Sequence, residues 1–193
     1  MSNLNGKRVG IAMTGSFCTF RHTFDAWRKL AEAGAELIPI LSETSYTCDT
    51  RFYRAEEVRT TLREICGREI LHTIPEVEPI GPKKLLDLLI VAPCTGNTLA
   101  KLACGIADTA PTLAVKSHLR NERPVLIAVS SNDALSRNGA SLGKLLPLRN
   151  FYFVPFGQDA PEGKPASLVA HMETLILSAE AALEGRQIQP ILT

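Results

Sequence analysis

Short aliphatic runs alternate with amphipathic segments along most of this chain. Arg8 to Met13 (RVGIAM) is an apolar run ending in Thr14-Gly15-Ser16, the pattern of a buried strand followed by a polar turn. Phe20, Phe24, Trp27, Leu30 and Ala31 then recur at helical spacing over Phe20 to Ala33, and Gly34 supplies a C-terminal cap. Glu36 to Leu41 reads as a second strand that runs into small polar residues, Ser42 to Tyr46. Ala55 to Cys66 places Val58, Leu62 and Ile65 on one helix face and is closed by Gly67.

The stretch Glu69 to Lys84 contains Pro75, Pro79 and Pro82 and is expected to be irregular. Leu85 to Val91 is a nearly continuous aliphatic run, as a parallel strand covered on both faces requires. Pro93 is expected to stop that strand, Thr95 to Thr98 to form a polar turn, and Leu99 to Ala107 a helix. The pattern continues with a helix over Thr112 to Leu119, a strand over Pro124 to Val129, a helix over Ser136 to Leu146 and a strand over Phe151 to Val154. After a polar Gly157 to Pro165 loop, Leu168, Met172, Leu175, Ile176, Ala179 and Leu183 predict an amphipathic terminal helix.

Such alternation calls for a three-layer α/β fold, a doubly wound parallel sheet with helices on both faces, in one domain spanning residues 1–193. Right-handed crossovers put every strand's C-terminal end on one rim. The loops Thr14–Thr19, Ser42–Tyr46, Pro93–Thr98 and Ser130–Asp133 therefore share that edge, and all four are rich in Ser, Thr, Asn and Gly. Open α/β sheets bind ligands there.

Composition narrows the partners. A formal net charge of +1 supplies no electrostatic reason for nucleic acid or an anionic membrane. No apolar run approaches the roughly 20 residues of a membrane span, and the polar start shows no signal peptide, so a cytoplasmic protein is expected. Five scattered cysteines without C-x-x-C spacing predict reduced thiols, mostly packed as small hydrophobes, with Cys18 and Cys94 lying in candidate ligand loops. The four histidines form no metal-like cluster; His22 and His171 read as structural or solvated, His171 within the terminal helix.

The loops match no Walker motif, no G-x-G-x-x-G and no G-x-S-x-G elbow. What they offer is hydroxyls and backbone N–H groups. Gly15-Ser16 before a helix is a candidate phosphate seat, and Phe17 and Phe20 are candidates to cover an aromatic ring or to join the core. Asp87 and Asp108 read as structural acceptors or turn residues. Among the cations Arg51, Arg54, Lys101, Arg120 and Arg137, Arg51 is the favoured partner for a substrate carboxylate because Thr50-Arg51-Phe52 follows a rim loop.

Gly15-Ser16, the Ala-Pro-x-Thr-x-Asn-Thr loop from Ala92 to Thr98, Lys101 and Gly105-Ile106-Ala107-Asp108 resemble the flavin-dependent cysteine decarboxylase superfamily. More of the chain is similar to the B-subunit family of dipicolinate synthase. That similarity is carried by Gly15-Ser16-Phe17-Cys18-Thr19, Thr50-Arg51-Phe52, Gly81-Pro82-Lys83, the Ala128–Leu135 segment and the Phe151–Pro161 segment. The resemblance implies a Rossmann-like fold, FMN at the strand ends, and homo-oligomers (trimers or dodecamers). It also implies a role in the mother cell of a sporulating bacterium, beside the NAD(P)-binding A subunit of the same synthase. The FMN-binding residues it implies are Gly15, Ser16, Phe17, Ser42, Thr44, Pro93, Thr95, Asn97, Thr98 and Ser131, with Asn132 and Arg51 contacting a small dicarboxylate substrate. Two departures argue against cysteine decarboxylation: Pro79 stands where those decarboxylases carry a catalytic His, and Val129-Ser130-Ser131-Asn132 replaces their Pro-Ala-Met-Asn, keeping only Asn132. Two readings stay open. One is a redox flavoprotein; the other is a non-redox accessory chain with a vestigial pocket that stabilises or activates the A subunit.

Overall fold

In the computed structural model, which describes residues 2–193, the frame of the molecule is a set of parallel strands. They are β1 (Arg8–Met13), β2 (Glu36–Leu41), β3 (Leu88–Cys94) and β4 (Val125–Ser131), in the order β2-β1-β3-β4. Pairing is in register along β1 and β2, from Arg8 opposite Glu36 to Met13 opposite Leu41. Every residue of β3 is buried, as a central strand covered on both faces must be. Helices α1 (Phe20–Glu32), α3 (Ala55–Cys66) and α8 (Leu175–Leu183) pack as one group. A second group comprises α4 (Ile74–Val77), α5 (Gly96–Ala103), α6 (Ala110–Leu119) and α7 (Gly139–Leu145), and a short α2 (Glu43–Thr47) follows β2.

The far edge of β4 is shared. Its first half pairs in parallel with β5 (Phe151–Phe153), Val125 opposite Phe151. Its end pairs antiparallel with β7 (Leu168–Ala170), which in turn pairs antiparallel with β6 (Phe156–Gly157). The sheet is thus mixed, with the expected parallel frame and an antiparallel hairpin appended beside the rim.

Several local expectations are corrected. Strand β3 starts at Leu88 and continues through Pro93 to Cys94, with a shift of register against β4 between Val91 and Cys94. Proline lacks an N–H, but its carbonyl is still used: it accepts from Thr14 N–H (3.2 Å) and Thr14 Oγ1 (2.7 Å), and the irregularity absorbs the missing donor. Helix α5 begins at Gly96 and ends at Ala103, where Gly105 at φ +70° turns the chain. The terminal helix is shorter than its apolar spacing predicts. Leu168–Ala170 is the strand β7, His171 precedes a single turn at Met172–Thr174, and α8 begins only at Leu175. Three residues opposite a free strand end gain a ladder that helix spacing cannot reveal. Within Glu69–Lys84, Pro75 and Pro79 sit in the first positions of short helical turns at Ile74–Val77 and Glu78–Ile80, where the missing N–H costs nothing.

At the end of the sheet away from the rim, Asp87 accepts from Arg8 N–H (2.9 Å) and Arg8 Nη2 (3.1 Å) and from Arg123 Nη1 (3.2 Å). Burial alone would raise this carboxyl; the bonds to Arg8, with Arg123 adding, hold it below the ordinary range. Asp87 is the structural acceptor the sequence predicts.

Candidate functional site

The loop after β1 is tied to both neighbouring strands. Thr14, 2% exposed, donates to Pro93 O and accepts from Thr95 N–H at 3.0 Å. Ser16 Oγ lies 2.7 Å from Ser130 Oγ, joining this loop to the end of β4. On the other side Ser42 N–H donates to Met13 O at 3.0 Å, and a Cβ on Gly15 would lie 3.6 Å from the Phe17 ring and 3.7 Å from the Thr44 methyl. The sequence-predicted Gly15, Ser16, Phe17, Ser42, Thr44, Pro93 and Thr95 therefore do converge on one edge.

Two of the loops double as helix caps. Ser42 Oγ accepts from Ser45 N–H (3.2 Å), and Thr95 Oγ1 from Thr98 N–H (3.3 Å). Thr98 is a buried capping partner rather than an open side chain. Gly96 opens α5 against the loop after β4: a Cβ there would lie 2.6 Å from each of Ser131 Oγ, Asp133 Oδ1 and Asn138 Nδ2. Asp133 organises that loop, accepting from Ser131 Oγ and from Asn138 Nδ2 (2.8 Å). Among the described residues, the N–H groups of Gly15, Gly96 and Asn97 have no backbone acceptor. The rim thus presents unspent N–H donors beside hydroxyls engaged with one another and with Asp133, and Asn97 and Asn132 are exposed next to them.

Phe20 belongs to the core, fully buried, whereas Phe17 is half-buried at 4.9 Å from it. Tyr53 joins the same group, 6.0 Å from Phe20 and 5.7 Å from Phe24. That anchor sets the Thr50–Tyr53 turn beside the β1 loop. Arg51 itself is exposed, its guanidinium carbon 4.7 Å from the centroid of the Phe52 ring, and it forms no ion pair among the described residues. Lys101, by contrast, is taken by Asp108 at 2.8 Å.

Beside the rim a cavity of about 320 Å³ opens between α1 and the β6–β7 hairpin. Its walls include Thr19, His22 and Lys29 from α1 and its approach, Pro93 and Ser130 from the strand ends, and His171. Of the predicted site residues, only Pro93 reaches it. The acids along it are engaged, Asp25 by Arg28 (3.0 Å), Asp159 by Lys164 (3.1 Å) and Glu173 near His171 (3.5 Å). His171 Nε2 also meets Thr193 Oγ1 at 2.7 Å. His22 is exposed and His171 is bonded to Thr193, in keeping with their reading as solvated or structural, and both line this cavity. Thr19, His22 and Lys29 recur at helical spacing on the polar side of α1, a signal that could have marked them as one surface.

The cysteines are more exposed than expected: Cys18, Cys48 and Cys104 are exposed, Cys66 is intermediate and Cys94 alone is buried. All five are unbridged. Burial pushes the Cys94 thiol far above its ordinary range and that of Cys66 up to about 12, so neither offers a thiolate at neutral pH. No group of three or more His, Cys, Asp or Glu residues among those described is arranged to hold a metal. No described helix is long and apolar enough to cross a membrane.

Comparison with known proteins places the chain in a family. The Flavoprotein family profile covers residues 1–176. Over 192 residues the chain is 42% identical to the B subunit of dipicolinate synthase from Bacillus subtilis (strain 168), spanning 100% of this chain and 96% of that protein. The crystal structure of the dipicolinate synthase B subunit from Bacillus halodurans C superposes with a TM-score of 0.92 at 41% identity, covering 100% of this chain and 98% of that one. AnUbiX (PadA1), solved in complex with FMN and dimethylallyl pyrophosphate, shares the fold alone, with a TM-score of 0.61 at 18% identity over 92% of each chain. The chain belongs to the Flavoprotein family, within its group of dipicolinate synthase B subunits.

Proposed function

We propose that this chain is the FMN-binding component of a dipicolinate-forming oxidoreductase, acting with an NAD(P)-binding A subunit in the cytoplasm of a sporulating mother cell. The observation that carries the reading is full-length similarity to a dipicolinate synthase B subunit combined with four polar loops on one sheet rim.

The residues present fit such a cofactor. Gly15 leaves open ground between Phe17 and Thr44, and the N–H groups of Gly15, Gly96 and Asn97 are unspent. Backbone donors at a loop–helix junction are suited to a phosphate. In this reading Gly15, Ser16, Ser42, Thr44, Thr95, Asn97 and Ser131 hold the phosphate and ring edge, while Phe17 and Pro93 supply apolar contact. Thr98 acts behind them through its bonds to Thr95. When bound, FMN supplies a two-electron acceptor for turning a dihydropyridine dicarboxylate into an aromatic pyridine.

The protein's part is binding and orientation. Asn132 donates to one substrate carboxylate and Arg51 pairs with the other; the Arg51 charge is free because no acid among the described residues holds it. The cavity lined by Pro93 and Ser130 beside the rim has the size of a small-molecule site, with Asn132 and Arg51 outside its walls. Pro79 lies in a helical turn whose neighbour Ile80 is fully buried, so this chain has no imidazole there for decarboxylation.

An absorption spectrum of the purified protein, before and after FMN addition and desalting, tests the proposal. Retained flavin bands are expected, followed by dipicolinate formation with the A subunit present, which Arg51→Ala and Asn132→Ala abolish. A colourless protein that keeps no FMN yet still supports dipicolinate formation would make the chain a non-redox accessory.

A further inference from the structure

Strand β7 ends at Ala170, and the residue that follows it, His171, stands on the wall of the cavity beside the rim. Its backbone is fixed from both sides. The N–H donates to Pro155 O at 2.8 Å, and the carbonyl accepts from Thr174 N–H (2.9 Å) and Thr174 Oγ1 (2.8 Å). Pairing of β7 with β4 sets Val169 opposite Ser130, so His171 lies two residues along from the partner of a rim residue.

The ring is engaged at both nitrogens. Nδ1 faces Glu173 Oε1 at 3.5 Å, and Nε2 meets Thr193 Oγ1 at 2.7 Å. Thr193 is brought there by residues that pair with β5 and β6. Gln187 accepts from Phe153 N–H (2.7 Å) and donates to Phe153 O (2.7 Å) through its side-chain amide. Phe156 N–H then donates to Ile191 O (3.0 Å), and Thr193 N–H to Phe156 O (3.3 Å). Gly157 makes room for this approach, since a Cβ there would collide with Thr193 O and lie 3.4 Å from His171 Nε2. A carboxylate behind one imidazole nitrogen and a hydroxyl at the other is the arrangement that orients a general base.

The other titratable groups on these walls are less suited to take a proton. Asp25 and Asp159 are paired with Arg28 and Lys164, and Lys29 offers donors only. His22 is exposed on α1 and forms no hydrogen bond or ion pair among the described residues, so nothing orients it.

We infer that His171 is the general base of the reaction proposed above, with Glu173 as the residue that positions it. The inference rests on that reading, in which a dihydropyridine dicarboxylate becomes an aromatic pyridine. That oxidation removes two hydrogens from the ring. One leaves as hydride and carries both electrons to the flavin. The other leaves as a proton, its bonding pair staying with the ring, and needs a base, which neither the Arg51 guanidinium nor the Asn132 amide can be. With Nδ1–H turned to Glu173, Nε2 is the basic nitrogen. It accepts from the Thr193 hydroxyl until the substrate proton takes that place. The substrate ring reaches it from the rim past Pro93 and Ser130, which line the same cavity.

Steady-state kinetics of dipicolinate formation by the FMN-loaded protein with the A subunit test the assignment. His171→Ala is expected to lower kcat about 100-fold or more with KM within about twofold, as loss of a general base does. Added imidazole is expected to recover about tenfold of that loss, a rescue that a purely structural role would not show. Glu173→Gln is expected to lower kcat by about threefold to tenfold, because the ring loses its orienting partner. FMN retention by each variant verifies the fold. Apart from turnover, pyridine-2,6-dicarboxylate added to the FMN-loaded wild type is expected to shift the NMR signals of the His171 ring, assigned by their loss in His171→Ala. The inference alone is overturned if wild type holds FMN and forms dipicolinate while His171→Ala keeps its kcat or gains nothing from imidazole. Unmoved His171 signals overturn it as well. A wild type that keeps no FMN overturns the reading, and the base with it.

Discussion

The hydroxyls of Ser16 and Ser130 lie 2.7 Å apart, one on the loop after β1 and the other at the end of β4. Two strands separated in the sheet by β3 are thereby bridged over its end. Ser130 is 7% exposed and also lines the cavity beside the rim, so the bond couples the proposed flavin loop to the adjacent space. Ser130→Ala is expected to weaken FMN binding about fivefold to tenfold with little change in melting temperature, the worth of one neutral hydrogen bond. Fluorescence-quenching titration with FMN checks this.

Two glycines on the rim separate packing from ligand approach. A Cβ on Gly96 meets Ser131, Asp133 and Asn138 at 2.6 Å, whereas one on Gly15 meets its neighbours at ordinary contact distance. Gly96→Ala is therefore expected to destabilise the fold by about 1–3 kcal/mol, as overpacking does. Gly15→Ala is expected to fold normally and lose FMN. Urea denaturation and desalting of FMN-loaded samples distinguish the two outcomes.

Thr14 holds the end of β3 and the residue after it with one hydroxyl, donating to Pro93 O and accepting from Thr95 N–H. Thr14→Val keeps the shape but leaves the Thr95 N–H without its acceptor, at a cost of about 1–3 kcal/mol. Hydrogen exchange is expected to quicken at Thr95. Unchanged exchange would show that another acceptor takes its place.

His118 carries a pH dependence in the core. Its Nε2 donates to Pro124 O at 3.0 Å, its Nδ1 has no partner, and the residue is fully buried. Burial pushes its pKa down to about 4, with the nearby Arg123 charge acting in the same direction. The unfolded chain takes up this proton near pH 6.5 and the folded protein does not. Stability is expected to be fully present above that pH and to fall between about pH 6.5 and 4, by up to about 3 kcal/mol. Urea midpoints at pH 7 and 5 measure it, and His118→Gln is expected to flatten the difference. Carboxylates held low, such as Asp87, add their loss only below the ordinary carboxylate range.

Repetition made much of the fold legible. β1, β2 and α3 match their expected bounds because each joins a clean periodicity to a local stop signal: the polar Thr14 and Ser42 after the strands, and Gly67 at φ +61° after α3. Pro93 and the Leu168–Ala170 segment defeated the same reasoning. In both, a partner distant in sequence supplied what the local rule lacked: Thr14 used the Pro93 carbonyl, and Ser130–Ser131 supplied a ladder for β7.

The candidate site divides in the same way. Its loops could be named from sequence because right-handed crossovers place all parallel strand ends together, whatever the side chains. Its second wall could not, because His22, Lys29 and His171 meet only where α1 faces the appended hairpin. By itself, the sequence determined the alternation of elements, the rim on which their polar loops gather and the family to which those loops belong. Tertiary structure alone decided which hydroxyls are spent as caps, which N–H groups remain open, and which cations stay unpaired. Those outcomes depend on distances between residues remote along the chain, which local periodicity does not encode.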